Sequence, residues 1–179
     1  EPFHVVPQQS ALTLPPDRPT SVRYVSQGAE RFHLESRDLS PDGEWFHAES
    51  ATGEFTLSVS KSLDRIVETH VAQIAGLPAV RPVDNEARLD NYLKPARREF
   101  LRMVGRPPDG VPIPLRVFVT AESAKHERAS IAHDFLIEVP RRVVERALDK
   151  KYPLDRAPWK EVEASPKPAE NLGVSLSDA

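Results

Sequence analysis

Phe32-His33-Leu34-Glu35-Ser36 and Phe46-His47-Ala48-Glu49-Ser50 write one pattern twice, with the two histidines 14 positions apart. Two imidazoles and two carboxylates are a feasible donor set for zinc or manganese if facing strands bring them together. The same repeat is also what a hairpin with one apolar and one polar face produces. A loop of Pro41, Asp42 and Gly43 pairs Ser40 with Glu44, and then sets Leu34 opposite Ser50 and Ser36 opposite Ala48. Phe32, Leu34, Phe46 and Ala48 share the inner face, while His33, Glu35, Arg37, His47 and Glu49 share the outer one. That register puts Glu35 across from Glu49 and Arg37 across from His47. The expectation is a hairpin whose polar face is solvated and holds no stoichiometric metal, with His33, Glu35, His47 and Glu49 as the candidate ligands if it does.

Other chemistry-bearing residues do not assemble into a recognised pattern. His126 and Glu127 are followed by His133, but a zinc-binding HExxH helix needs its second histidine where this chain has Ser130. There is no nucleophile elbow, phosphate-binding loop or dinucleotide fingerprint. The chain has no cysteine, which excludes disulfides, thiol nucleophiles and cysteine-ligated clusters. No catalytic residue and no cofactor are therefore assigned.

The concentrated charge lies elsewhere. Between Arg88 and Arg106 six cations stand against Asp90 and Glu99, a net +4 in a chain whose formal charge is −3. Arg97, Arg98, Arg102 and Arg106 form the candidate partner-binding edge, because guanidinium groups present a planar donor fork to carboxylates or phosphates. A solvated helix face is the plain alternative. No aromatic residues interleave the charges, so base readout is not expected.

These residues need elements to hold them. Residues 1–20 carry five prolines and read as an extended arm. From Ser21 to Ser60 four alternating runs separated by turn signals predict an antiparallel β-meander. Leu63, Ile66, Val67, Val71 and Ile74 predict a helix with Ser60 or Ser62 as its cap and Gly76 as its stop, and His70 on its apolar stripe reads as a hydrogen-bonded histidine at the core edge. A proline linker covers residues 77–85. A second helix over residues 86–104 has Leu89, Tyr92, Leu93, Ala96, Phe100, Leu101 and Val104 inward, and Pro95 must kink or restart it. A strand over residues 113–121 with Leu115, Val117 and Val119 inward, a polar loop that holds His126, Glu127 and His133, a second strand over residues 134–140, a helix opened by Pro140, and a strand near residues 157–165 follow. The class is α+β, with a split βαβ unit of ferredoxin-like sandwich type over residues 54–164 inside one domain of residues 21–164, and a polar tail over residues 165–179.

Three segments in order resemble the small-subunit ribosomal protein ten family and its mitochondrial large-subunit relative. FTLSVS leading into LDRIVETHVAQIAG is similar to that family's first strand and helix, GVPIPLRVFVT to its second strand, and FLIEVPRRVVERAL to its closing strand and helix. The likeness covers about half the chain. It implies a structural protein of an organellar ribosome, with the arm and the Arg-rich helix as additions. The expected function is thus a non-catalytic subunit of a large assembly, such as a mitochondrial ribosome or a respiratory or ATP synthase complex. Its expected partners are other protein subunits and ribosomal-RNA phosphates. The start at Glu1 fits a removed targeting peptide and a trimmed chain equally well, with a mitochondrial location expected and an exported or periplasmic one as the alternative. A metal-dependent hydrolase using the two His-x-Glu pairs, and a stand-alone exported binding domain, are the competing functions. No apolar run approaches the roughly 18 residues that span a bilayer.

Overall fold

A computed structural model of the protein describes residues 2–9, 13–76 and 85–153. In chain order these form β1 (Val6–Pro7), β2 (Thr13–Leu14), β3 (Thr20–Val25), β4 (Ala29–Ser36), β5 (Phe46–Ser50), β6 (Glu54–Leu57), α1 (Leu63–Ala75), α2 (Asn85–Val104), β7 (Val111–Ser123), β8 (Arg128–Val139) and α3 (Arg141–Lys151). The fold is α+β. A five-stranded sheet has the order β2-β8-β7-β4-β5, and a three-stranded sheet has the order β1-β3-β6. The proline linker over residues 77–84, the strand expected near residues 157–165 and the polar tail lie outside the described residues.

The long β7–β8 hairpin is the spine, paired from Val111↔Val139 to Glu122↔Arg128. Strict alternation builds it: Ile113, Leu115, Val117, Val119 and Ala121 are buried, and Arg116, Phe118 and Thr120 look outward. Pro112 and Pro114 fit because of where their missing N–H groups would point. The Arg116 amide leaves the hairpin to donate to Asp38 Oδ2 at 2.7 Å, and Pro112 and Pro114 share that direction by alternation. β4 pairs β7 only from Ser123 to Phe118, so the prolines sit where no strand asks for a donor. The carbonyls on that side are taken by side chains: Ser36 Oγ donates to Arg116 O at 2.7 Å and Tyr92 Oη to Pro112 O at 3.1 Å.

The expected meander does not form. β3 pairs β6 in a register of Thr20↔Leu57 to Arg23↔Glu54, while β4 and β5, which separate them in sequence, join the other sheet. Alternation fixes a strand's faces but leaves its neighbours open, and here burial of Tyr24 and Phe55 against the larger sheet decides the partner. The split βαβ sheet is corrected for the same reason. β6 precedes α1 as expected, yet among the described residues it pairs with β3 rather than with β7 or β8. The edge of β8 is instead covered by β2, in parallel. The N-terminal segment thus contributes one strand to each sheet, and buries Val5 and Leu14.

Buried side chains of α1, α2, α3 and both sheets belong to one apolar cluster. In α1 these are Ile66, Val67, Val71 and Ile74; the Ser62 hydroxyl donates to Val59 O and does not cap the helix. His70 is half-buried at the core edge as expected, although its Nδ1 finds no partner within hydrogen-bond geometry among the described residues. α3 begins one residue after Pro140, whose carbonyl accepts from Val143 and Val144, and it buries Val144 and Leu148. α2 continues through Pro95 without a break. The carbonyl that Pro95 leaves unpaired belongs to Asn91, one turn back on the exposed side, where water can satisfy it. Leu89, Leu93 and Phe100 are buried, but Leu101, expected inward, is half exposed.

Candidate functional site

The outer face of the larger sheet carries the two His-x-Glu pairs, two residues out of the expected register. His33 faces Glu49, Leu34 faces Ala48 and Glu35 faces His47. Ser36 causes the shift. Its Oγ accepts from the amides of Asp38 at 3.1 Å and Leu39 at 3.3 Å, which ends β4 and folds Leu39 and Ser40 into the interior. Arg65 of α1 then fastens the connection by donating to the carbonyls of Ser40 and Arg37. The loop runs over residues 37–45 instead of three residues. Because the shift is even, every side chain keeps its face. What changes is the pairing: Glu35 and Glu49 no longer oppose one another, and each carboxylate meets an imidazole.

The imidazoles also meet each other. His47 Nδ1 lies 3.1 Å from His33 Nε2, with ring centroids 5.2 Å apart. Glu35 Oε2 is 3.6 Å from His47 Nδ1 and 3.8 Å from His33 Nε2. Glu49 Oε2 stands 3.5 Å from the other nitrogen of His33, Nδ1. The outer donor group is half-exposed, so water reaches it.

Around it the sheet is committed to its own contacts. Arg31 and Arg128 both bind Glu122, with Arg31 Nε donating to Oε1 at 2.7 Å and Arg128 Nε to Oε2 at 3.3 Å. Arg31 holds the Glu122 carboxyl below the usual carboxylate range, burial opposes it, and Arg128 adds to the lowering. Arg31, His33, Glu49, Thr120, Glu122 and Arg128 line an open groove of about 320 Å3. Two guanidinium groups there stand against two carboxylates, Glu122 and Glu49, so the groove has no excess positive charge to favour an anion. Arg37, expected across from His47, lies over the Trp45 ring at 5.2 Å, and Trp45 packs against Phe118 at 6.1 Å. This exposed aromatic pair was not singled out from the sequence, although Phe118 occupies an outward position between Val117 and Val119.

His126 and His133 do not come together. His126 sits exposed in the β7–β8 turn with φ 66, its Nδ1 3.7 Å from Glu122. His133 is buried on the inner face, where its Nδ1 is 2.7 Å from the Tyr24 hydroxyl. Burial raises the Tyr24 phenol well above its ordinary pKa.

Three of the candidate arginines lie on α2 and Arg106 lies just beyond its end, and the four divide. Arg106 is bound to Glu138 and lies over the Phe100 ring at 5.3 Å, and Arg102 is paired with Glu99 one turn back. Glu138 and Glu99 each raise the pKa of their guanidinium partner. Arg97 and Arg98 are exposed, and neither they nor Lys94 make a hydrogen bond or ion pair among the described residues. Lys94, Arg97, Arg98 and Leu101 share one side of the helix by their spacing. No helix among the described residues is long and apolar enough to cross a membrane. No family model, curated protein or solved structure matches the chain.

Proposed function

We propose that the chain is a non-catalytic subunit of a larger assembly, held there by the outward stripe of α2 against an acidic protein surface. One observation carries this reading: Lys94, Arg97 and Arg98 have no partner among the described residues and stand around the half-exposed Leu101, in a chain of net charge −3. Most other arginines on this part of the molecule are spent internally, on Glu99, Glu138, Asp134 or Asp90. A leucine surrounded by unneutralised cations suits a partner that offers carboxylates around an apolar contact. A phosphate backbone would take the charges and leave Leu101 with nothing to bury. That favours protein over ribosomal RNA as the partner.

The test is the native mass of the protein in extracts of its source. The chain is expected to migrate with a larger particle, before and after nuclease treatment, and to detach as salt rises. An Arg97→Glu, Arg98→Glu variant should run as a free monomer with an unchanged circular dichroism spectrum. A wild-type chain that already runs free removes the subunit reading. Release by nuclease replaces the acidic protein partner with RNA.

A further inference from the structure

We infer that the outer face of the β4–β5 hairpin is a binding site for a divalent cation of the zinc class, ligated by His33 Nε2, His47 Nδ1 and Glu35 Oε2. The three donor atoms lie within 4.8 Å of one another. Their separations are 3.1, 3.6 and 3.8 Å. The point equidistant from all three in their plane lies about 2 Å from each, which is the length of a zinc–nitrogen or zinc–oxygen bond. A tetrahedral ion lifted out of that plane draws the donors closer, to spacings of about 3.3 Å. The two facing nitrogens are already nearer than that, and Glu35 closes the rest by rotating its side chain.

The donors select the metal class. Two imidazoles and one carboxylate suit zinc, nickel or copper, whereas calcium and magnesium prefer oxygen alone. Two facing imidazole nitrogens are held together either by one shared hydrogen or by a cation to which both give lone pairs, so a bound ion displaces that hydrogen. Glu49 completes the arrangement without being a ligand. Its carboxylate stands on the Nδ1 side of His33, where it keeps the proton on Nδ1 and leaves the Nε2 lone pair for the metal. Solvent access at His47, about half exposed, leaves room for water as a fourth ligand.

The backbone holds these groups in register. His33 and Glu49 are directly paired, as are Glu35 and His47, and β4 is braced on its other edge by β7. The site is therefore two rungs of one ladder, and it is independent of the α2 surface proposed above.

Titration of the full chain with Co2+, read by visible absorption, tests it, with Zn2+ added afterwards as the competitor. One cobalt per chain is expected, displaced by one zinc. Binding should be lost in His33→Ala and in His47→Ala, and weakened about 10–100-fold in Glu49→Gln, the usual effect of removing a carboxylate that orients a metal-bound histidine. His126→Ala, in the distant turn, should bind as wild type. These side chains are on the surface, and unchanged circular dichroism of each variant separates loss of the site from loss of the fold. A second readout is the histidine ring signals in the proton NMR spectrum, of which zinc should move those assigned to His33 and His47. The inference is overturned if neither metal binds at about 1 mM, if His47→Ala binds like wild type, or if zinc leaves both sets of ring signals in place.

Discussion

Ser36 decides the outer face as much as the histidines do. The repeat of phenylalanine, histidine and glutamate shows in the sequence that His33, Glu35, His47 and Glu49 share a polar face, because alternation sets faces whatever the turn. Which of them touch depends on the turn, and a serine hydroxyl that ends β4 early is a competing local hydrogen bond that periodicity does not reveal. The expected register opposed two glutamates and argued for an unoccupied, solvated face. The observed one opposes glutamate to histidine twice, and the metal inference follows from that change. At the same scale, Tyr24 ties the two sheets through His133. Tyr24→Phe keeps the ring packing against Phe55 and removes only the hydroxyl, so a loss of about 0.5–1.5 kcal/mol is expected in urea unfolding. No loss would mean that the buried contact adds nothing beyond packing.

Elements whose partners are close in sequence were legible. The period of α1 and α3 and the alternation of β7 specify each element, so local pattern and final structure coincide there, whereas β8 starts at Arg128 rather than Asp134, because its polar first half, expected as a loop, pairs with residues 117–122 of β7. β3 and β6 are different. Their pairing spans more than thirty residues, and the sequence between them folds into the other sheet, so no local signal names β6 as the partner of β3. Gly53 is where the chain changes sheets. It has φ +88, its carbonyl accepts from the Tyr24 amide at 2.9 Å, and a Cβ built on it would lie 2.3 Å from Tyr24 O. Alanine there meets both backbone strain and a clash with a backbone atom. Gly53→Ala is expected to destabilise by more than about 1 kcal/mol, from the strained conformation alone. Gly28→Ala is the useful comparison, since Gly28 has φ +85 with open space around it and carries the strain without the clash. Equal losses in the two variants would show that the junction tolerates a methyl group.

At the scale of the whole molecule, charge is arranged so that acid acts in two stages. Arg116 holds the Asp134 carboxyl below its ordinary range and Arg106 does the same for Glu138, as Arg31 does for Glu122. A carboxylate with a lowered folded pKa adds stability that is complete above the unfolded value of about 4 and is lost as pH falls through the folded value. His70 works in the same direction at higher pH. Burial lowers its pKa, and the Ile66 carbonyl and Asp38, which favour the cation, do not offset the burial. The unfolded chain therefore takes up a proton near pH 6.5 that the folded chain refuses, so stability falls as pH drops from about 6.5 toward the folded value and levels off below it. Urea midpoints measured from pH 8 down to pH 3 should show this shallow decline first and a steeper one below about pH 4, where the paired carboxylates titrate. His70→Gln removes the titrating ring and keeps a polar side chain of similar size. It should flatten the decline that begins below about pH 6.5 and leave the lower one intact. An unchanged slope in that upper window would take His70 out of the account and place the acid sensitivity entirely in the carboxylates.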